Sequence, residues 1–282
     1  MRKFGIILSV LVLVFVISGC GKSVSSENKV IKVGIRSSEI KTWNYIADLA
    51  KKEGLTVEIV NFNSTIDPNT PLNDGEIDVN AFQHISYLDQ FNAKHNTKIV
   101  PIGTTIIAPL GIYSSKYKSL KDIPDGSKIA IPNDQSNWGR SLLLLQEAGL
   151  IKVVDNFNGD GGADKIKENP KKLDIVPVDG ATTPRVMQDV AASVINNGTA
   201  LTAGLKLKDS LFHESKTAKP YINIIAAREK DKDRPELKKL VSIYQSKEVT
   251  DFIDKTYEGN YIPTFISLEE LAKYKETFKN NK

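Results

Sequence analysis

The chain has 282 residues, of which 26% are charged and 40% hydrophobic, with a formal charge of +4, one cysteine and three histidines. That length allows a sizeable core and more than one lobe. Lysines and arginines are scattered rather than gathered in a stripe, which argues against a nucleic-acid partner. A single cysteine excludes an intramolecular disulfide, and His84, His95 and His213 are too dispersed for a metal-ligand motif.

The first element is an export signal. Arg2-Lys3 is followed by an apolar run from Phe4 to Ile17, then Ser18-Gly19-Cys20. The run is too short to span a bilayer, and a small residue precedes the expected cut. Ile17-Ser18-Gly19-Cys20 resembles a bacterial lipobox, so residues 1–19 are expected to be removed and Cys20 to become a lipidated N-terminus. Residues 20–29 are polar and without apolar periodicity, as suits a flexible tether. The domain is thus expected outside the cytoplasm, anchored to the bacterial cell membrane.

From residue 30 strand and helix signals alternate. Val30-Ile31-Lys32-Val33-Gly34-Ile35 reads as a buried strand, and Ile40, Trp43, Ile46, Ala47 and Ala50 recur at helical spacing until Gly54. Residues 56–62 form the next strand, which completes a βαβ unit and implies a parallel sheet. Further strands are expected at 128–132, 173–177, 190–195 and 221–227. A leucine-rich helix is expected at 141–148, and a helical tail at 236–257 with a break at Ser246. Ser267-Leu268-Glu269-Glu270 reads as a capping box opening the last helix. Short apolar strands separated by helices predict an α/β protein.

The segment Pro132-Asn133-Asp134-Gln135-Ser136-Asn137-Trp138-Gly139-Arg140 leads from a strand into a helix, where free backbone N–H groups favour an anion and Arg140 can hold a carboxylate bidentately. Asn137 is either a helix cap or a ligand contact. Asn196 follows one apolar strand and Asn223 interrupts another. A carboxamide at a cleft can read both the amine and the carboxylate of an amino acid. There is no Gly-x-Ser-x-Gly elbow, no His-Glu-x-x-His and no phosphate-binding loop, so catalysis is not expected and no cofactor is called for.

The run Asp78-Val79-Asn80-Ala81-Phe82-Gln83-His84-Ile85-Ser86-Tyr87-Leu88-Asp89 resembles the methionine-binding lipoproteins of the MetQ/NlpA type, substrate-binding components of bacterial ABC importers. The resemblance continues through Pro109-Leu110-Gly111-Ile112-Tyr113-Ser114, Ile131-Pro132-Asn133-Asp134, Gly139-Arg140, Val194-Ile195-Asn196 and Tyr221-Ile222-Asn223-Ile224. It implies a two-lobed fold of the periplasmic-binding-protein type II kind, with residues 30–114 and 223–282 in one lobe and 115–222 in the other. It further implies a monomer that binds a small zwitterion in the interlobe cleft and hands it to permease and ATPase subunits. Arg140 would anchor the ligand carboxylate, Asn196 and Asn223 would read its polar groups, and His84 and Tyr87 would line the side-chain pocket with Phe82, Asn80 and Asn137 nearby.

Four positions depart from the family's pattern. Ala81 stands where an aromatic is usual, Ile66 and Thr199 where tyrosines are common, and Ala108 where an acid often precedes the proline. Lost rings predict a wider pocket and a ligand larger than methionine, with Trp43 or Trp138 the side chains that could fill the gap. The rival reading is a surface lipoprotein with a degenerate cleft, acting as an adhesin, sensor or scaffold.

Overall fold

A computed structural model describes residues 30–63, 66–215 and 219–280. The leader, Cys20 and the tether lie outside these.

The strands are β1 (Val30–Arg36), β2 (Thr56–Phe62), β3 (Val79–His84), β4 (Ile99–Ile107), β5 (Gly111–Tyr113), β6 (Lys128–Pro132), β7 (Lys152–Val153), β8 (Ile166–Glu168), β9 (Asp174–Val178), β10 (Ala192–Ile195), β11 (Phe212–His213), β12 (Ile222–Arg228) and β13 (Ile262–Pro263). The helices are α1 (Ile40–Lys52), α2 (Asn69–Asp74), α3 (Ile85–His95), α4 (Gln135–Glu147), α5 (Thr183–Val186), α6 (Asn197–Thr202), α7 (Pro235–Tyr244), α8 (Lys247–Tyr257) and α9 (Leu268–Ala272).

Six strands form one sheet in the order β13-β4-β12-β3-β1-β2, and five form another in the order β11-β5-β10-β6-β9. The βαβ unit is as expected: β1 lies parallel to both β2 and β3. The chain leaves the larger sheet between Ile107 and Gly111 and returns between His213 and Ile222. Gly111–Tyr113 belongs to the five-stranded sheet, so the first passage is complete before Ser114.

Each sheet has its own apolar core. On the larger sheet, Ile31, Val33, Ile35 and Val79 pack with Trp43, Leu240 and Ile253, while Ile222, Ile224 and Ala226 pack on the opposite face with Leu88 and Phe91. The alternation along β12 is the period of two that a sheet covered on both sides requires. The smaller sheet buries Ile129, Ile131, Val194 and the leucines of α4.

The helical tail divides at Ser246, whose side chain accepts from the Val249 N–H and caps α8, and Ser267 caps α9 by accepting from the Glu270 N–H. One expected boundary shifts. Helix α4 begins at Gln135 rather than 141, because the Asp134 carboxylate accepts from the Asn137 N–H and is the true cap. Gly139 inside that helix has a steric reason: a Cβ there would meet the Gly159 carbonyl at 1.8 Å.

The lobes touch on both sides of the cleft between them. On one side Asn260 is the tie: its carbonyl accepts from Asn197 Nδ2 at 2.7 Å and its Oδ1 from the Leu207 N–H at 2.7 Å. Its own amide donates to the Tyr257 carbonyl, and Lys206 pairs with Glu258 close by. Gly198 completes this contact, where a Cβ would lie 2.8 Å from Ser38 Oγ. On the other side Gln90 bonds Asp160.

Candidate functional site in the interlobe cleft

Each lobe brings polar side chains to the cleft by a strand end. His84 ends β3 and caps α3, its Nδ1 accepting from the Tyr87 N–H at 3.1 Å. That bond leaves the proton on Nε2, which faces Asn137 Oδ1 at 3.3 Å across the cleft. Burial, with Arg140 adding to it, pulls the His84 pKa down to about 3, so the imidazole is neutral at ordinary pH. Asn137 Oδ1 also accepts from Asn196 Nδ2 at 2.8 Å. Asn223 lies directly opposite His84 across the β12–β3 ladder and makes no side-chain hydrogen bond among the described residues. His84, Asn137, Asn196 and Asn223 are therefore brought together, and one amide of the set has its donors and acceptor free.

Tyr87 donates to Asp67 Oδ2 at 2.6 Å, and burial followed by the Asp67 charge raises its pKa. Phe82 meets Tyr87 edge-on, with ring centroids 5.8 Å apart, and carries the Arg36 guanidinium 5.4 Å above its ring. Tyr87, Asp67 and Asp134 border a cavity of about 910 Å³ that runs out past Asp160 and Phe278.

Arg140 is almost wholly buried and already carries a carboxylate. Its Nε donates to Glu214 Oε1 at 2.7 Å and its Nη2 to Glu214 Oε2 at 2.6 Å, while Nη2 also reaches the Ala108 carbonyl at 3.0 Å. The Leu110 N–H donates to Glu214 Oε2 at 2.8 Å, and the Glu214 N–H returns to the Leu110 carbonyl. The Tyr221 ring lies under the guanidinium at 4.3 Å. The pair thus sits between the two chain passages. This corrects the expected bidentate grip on a ligand: both Nη2 protons and the Nε proton are taken, and only the Nη1 group remains for an outside anion.

Two other expectations change. Asn80 is fully buried, with Nδ2 donating to Pro68 O and Asn69 Oδ1 and Oδ1 accepting from Gln83, so it braces the strand beneath the cleft instead of offering a contact. Ala81 faces the opposite side of β3 from Phe82 and His84, packed with Val79 and Trp43 in the core. An aromatic absent there leaves no hole in the pocket, and the inference of a wider cavity from this position fails. Neither tryptophan fills the cleft: Trp43 lies in that core, and Trp138 packs against Gly162. Of the other departures, Ile66 is exposed and Thr199 is half-buried on α6. Glu214 escaped sequence reasoning because its partner is 74 positions away and it follows a two-residue strand with no periodicity.

Two α/β lobes joined by two passages and meeting over a cleft of amides, imidazole and a buried arginine define a bilobal ligand-binding protein. Residues 31–265 match the model of the NlpA lipoprotein family, and the chain belongs to that family. It is 43% identical over 249 residues to the D-methionine-binding lipoprotein MetQ of Escherichia coli K12, covering 86% of this chain and 91% of that one. A nutrient binding protein from Burkholderia cenocepacia, solved bound to methionine, is 47% identical with a TM-score of 0.81, covering 83% of this chain and all of that one. The substrate binding protein of a methionine transporter from Streptococcus pneumoniae is 37% identical with a TM-score of 0.78, over 83% of this chain and 95% of the other. These relatives are named for binding, not catalysis. Among the described residues no helix is long and apolar enough to cross a membrane.

Proposed function

We propose that this protein is the extracytoplasmic binding component of an ABC importer and holds methionine or a closely related zwitterion in the interlobe cleft. The observation that carries the reading is a polar cluster built from both lobes, in which His84 meets Asn137 across the cleft, Asn137 also accepts from Asn196, and Asn223 stands free beside His84. The zwitterion's carboxylate takes the remaining Nη1 face of Arg140, Asn196 and Asn223 read its ammonium and carboxylate, and Tyr87 and Phe82 flank its side chain, where sulfur–aromatic contact is mildly favourable. The larger sheet with its helices forms one body and the smaller sheet with its helices the other, so the expected boundaries at 114 and 223 move to the passage between Ile107 and Gly111 and to the return between His213 and Ile222, which act as hinges. The chain acts as a monomer, tethered through a lipid on Cys20, and delivers its ligand to permease and ATPase subunits.

The test is a thermal-shift and calorimetric panel of L- and D-methionine on protein from residue 21 onward, denatured and refolded to strip carried ligand. A ligand that binds only the folded form raises its melting temperature by mass action. Methionine is expected to do so, and Asn223→Ala and Asn196→Ala each to weaken it by about tenfold, the scale of one lost hydrogen bond to a charged group. No shift with either enantiomer, nor with the other amino acids added to the same panel, would move the reading to a surface lipoprotein with a degenerate cleft.

A further inference from the structure

The arginine around which a ligand carboxylate would be held is already neutralised by the chain itself. Glu214 receives hydrogen bonds at both oxygens from Arg140 and a third from the Leu110 amide, and the side chains are 3% and 7% exposed for arginine and glutamate. Held in this way, the carboxylate is fixed between the two chain passages, on the far edge of the guanidinium from Nη1. Other groups around it do little to restore a positive field: His84 is neutral, the adjoining cavity sets Asp67, Asp89, Asp134 and Asp160 against Lys94 and Lys275, the latter paired with Asp89, and Arg36 faces both Asp67 and Asp179.

We propose that Glu214 is a specificity-determining residue: by occupying the Nε and Nη2 edge of Arg140 it cancels the charge of that arginine and restricts the cleft to ligands without net negative charge. A lone carboxylate approaching Nη1 meets the Glu214 carboxylate on the far edge of the same guanidinium, in surroundings where water screens little. A zwitterion brings its own ammonium and escapes that penalty. An anion does not. The inference rests on the reading of the cleft as an amino-acid site for its ligand class, but its electrostatic core can be tested without one.

The experiment compares wild type with Glu214→Gln, which keeps the shape and removes the charge. Calorimetry with L-methionine and with N-acetyl-L-methionine, the anion that lacks the ammonium, measures selectivity. Wild type is expected to prefer methionine strongly, and E214Q to narrow the ratio by about tenfold or more, through gain of the anion. A ratio unchanged within about twofold would overturn the proposal. Sodium acetate, read as a rise in melting temperature over matched sodium chloride, is the second arm and needs no methionine binding. E214Q is expected to respond, and wild type and the double variant E214Q with Arg140→Met are not. If E214Q folds poorly, recovery of cooperative unfolding in acetate but not chloride supports the same conclusion, and no recovery refutes it. Failure of methionine to bind wild type, with the acetate result intact, would sink the functional reading alone.

Discussion

Glu39 and Glu214 are each 6% exposed, yet they solve burial in opposite ways. Glu39 sits between β1 and α1, close to Trp43, Tyr244, Tyr257 and Tyr261, and no cation among the described residues acts on it. Burial drives its pKa from the usual 4.5 to about 8, and the Trp43 indole N–H, which makes no well-aligned hydrogen bond, offsets this only in part. Its carboxyl is therefore mostly protonated at neutral pH. Glu214, as deeply enclosed, is given a guanidinium and a backbone N–H and stands as an ion pair. Burial alone does not set the state of a carboxyl; the presence of a partner at hydrogen-bond distance does.

The largest expected effect comes from breaking the pair. Glu214→Ala leaves Arg140 enclosed without its counterion and is expected to cost about 3–5 kcal/mol in urea denaturation; a loss under about 1 kcal/mol would mean that water reaches Arg140 and that the two sites are not comparable. Glu39 should show the opposite behaviour, through pH. Because its folded pKa is raised, its contribution to stability is fully present below about 4.5 and is lost as pH climbs to about 8. The loss is on the order of a few kcal/mol. Urea midpoints of wild type and Glu39→Gln measured from pH 5 to pH 9 should diverge in slope, with the variant flatter; parallel curves would show that Glu39 is ionised in the fold.

A smaller effect separates packing from pocket. Ala81→Tyr, which restores the family's usual ring, is expected to destabilise by about 1–3 kcal/mol through overpacking of the core of the larger sheet, and tighter methionine binding without loss of stability would place that position back in the cleft. The smallest effect belongs to the amide cluster. Asn137→Ala removes the acceptor shared by His84 and Asn196 and one tie to Asp134, and should cost about 1 kcal/mol of stability, while methionine affinity falls more than stability does.

The α/β class, the first βαβ unit, the break at Ser246 and the cap at Ser267 were legible because they rest on local periodicity and local hydrogen bonds. Helix α4 began later in the sequence reading than in the fold, since Gly139 and the polar run from Gln135 to Asn137 carry no apolar repeat. Their helicity comes from the Asp134 cap, and Gly139 is a glycine because Gly159 approaches it closely. Arg140, His84 and Asn196 could be singled out by chemistry and resemblance, but the hand-off between them could not. The hydrogen bond from Asn196 to Asn137 spans 59 positions, and the one from Arg140 to Glu214 spans 74. Which face of β3 Ala81 occupies depends on register, and a one-residue difference exchanges pocket for core.

Asn260 carries a kinetic consequence. Parting the lobes on that flank severs its carbonyl from Asn197 and its side-chain oxygen from Leu207 in a single motion. If the lobes part to release a bound molecule, as the proposed hinges imply, substitution of Asn260 is expected to speed release with little change in how fast the molecule is first captured, which stopped-flow rates would check.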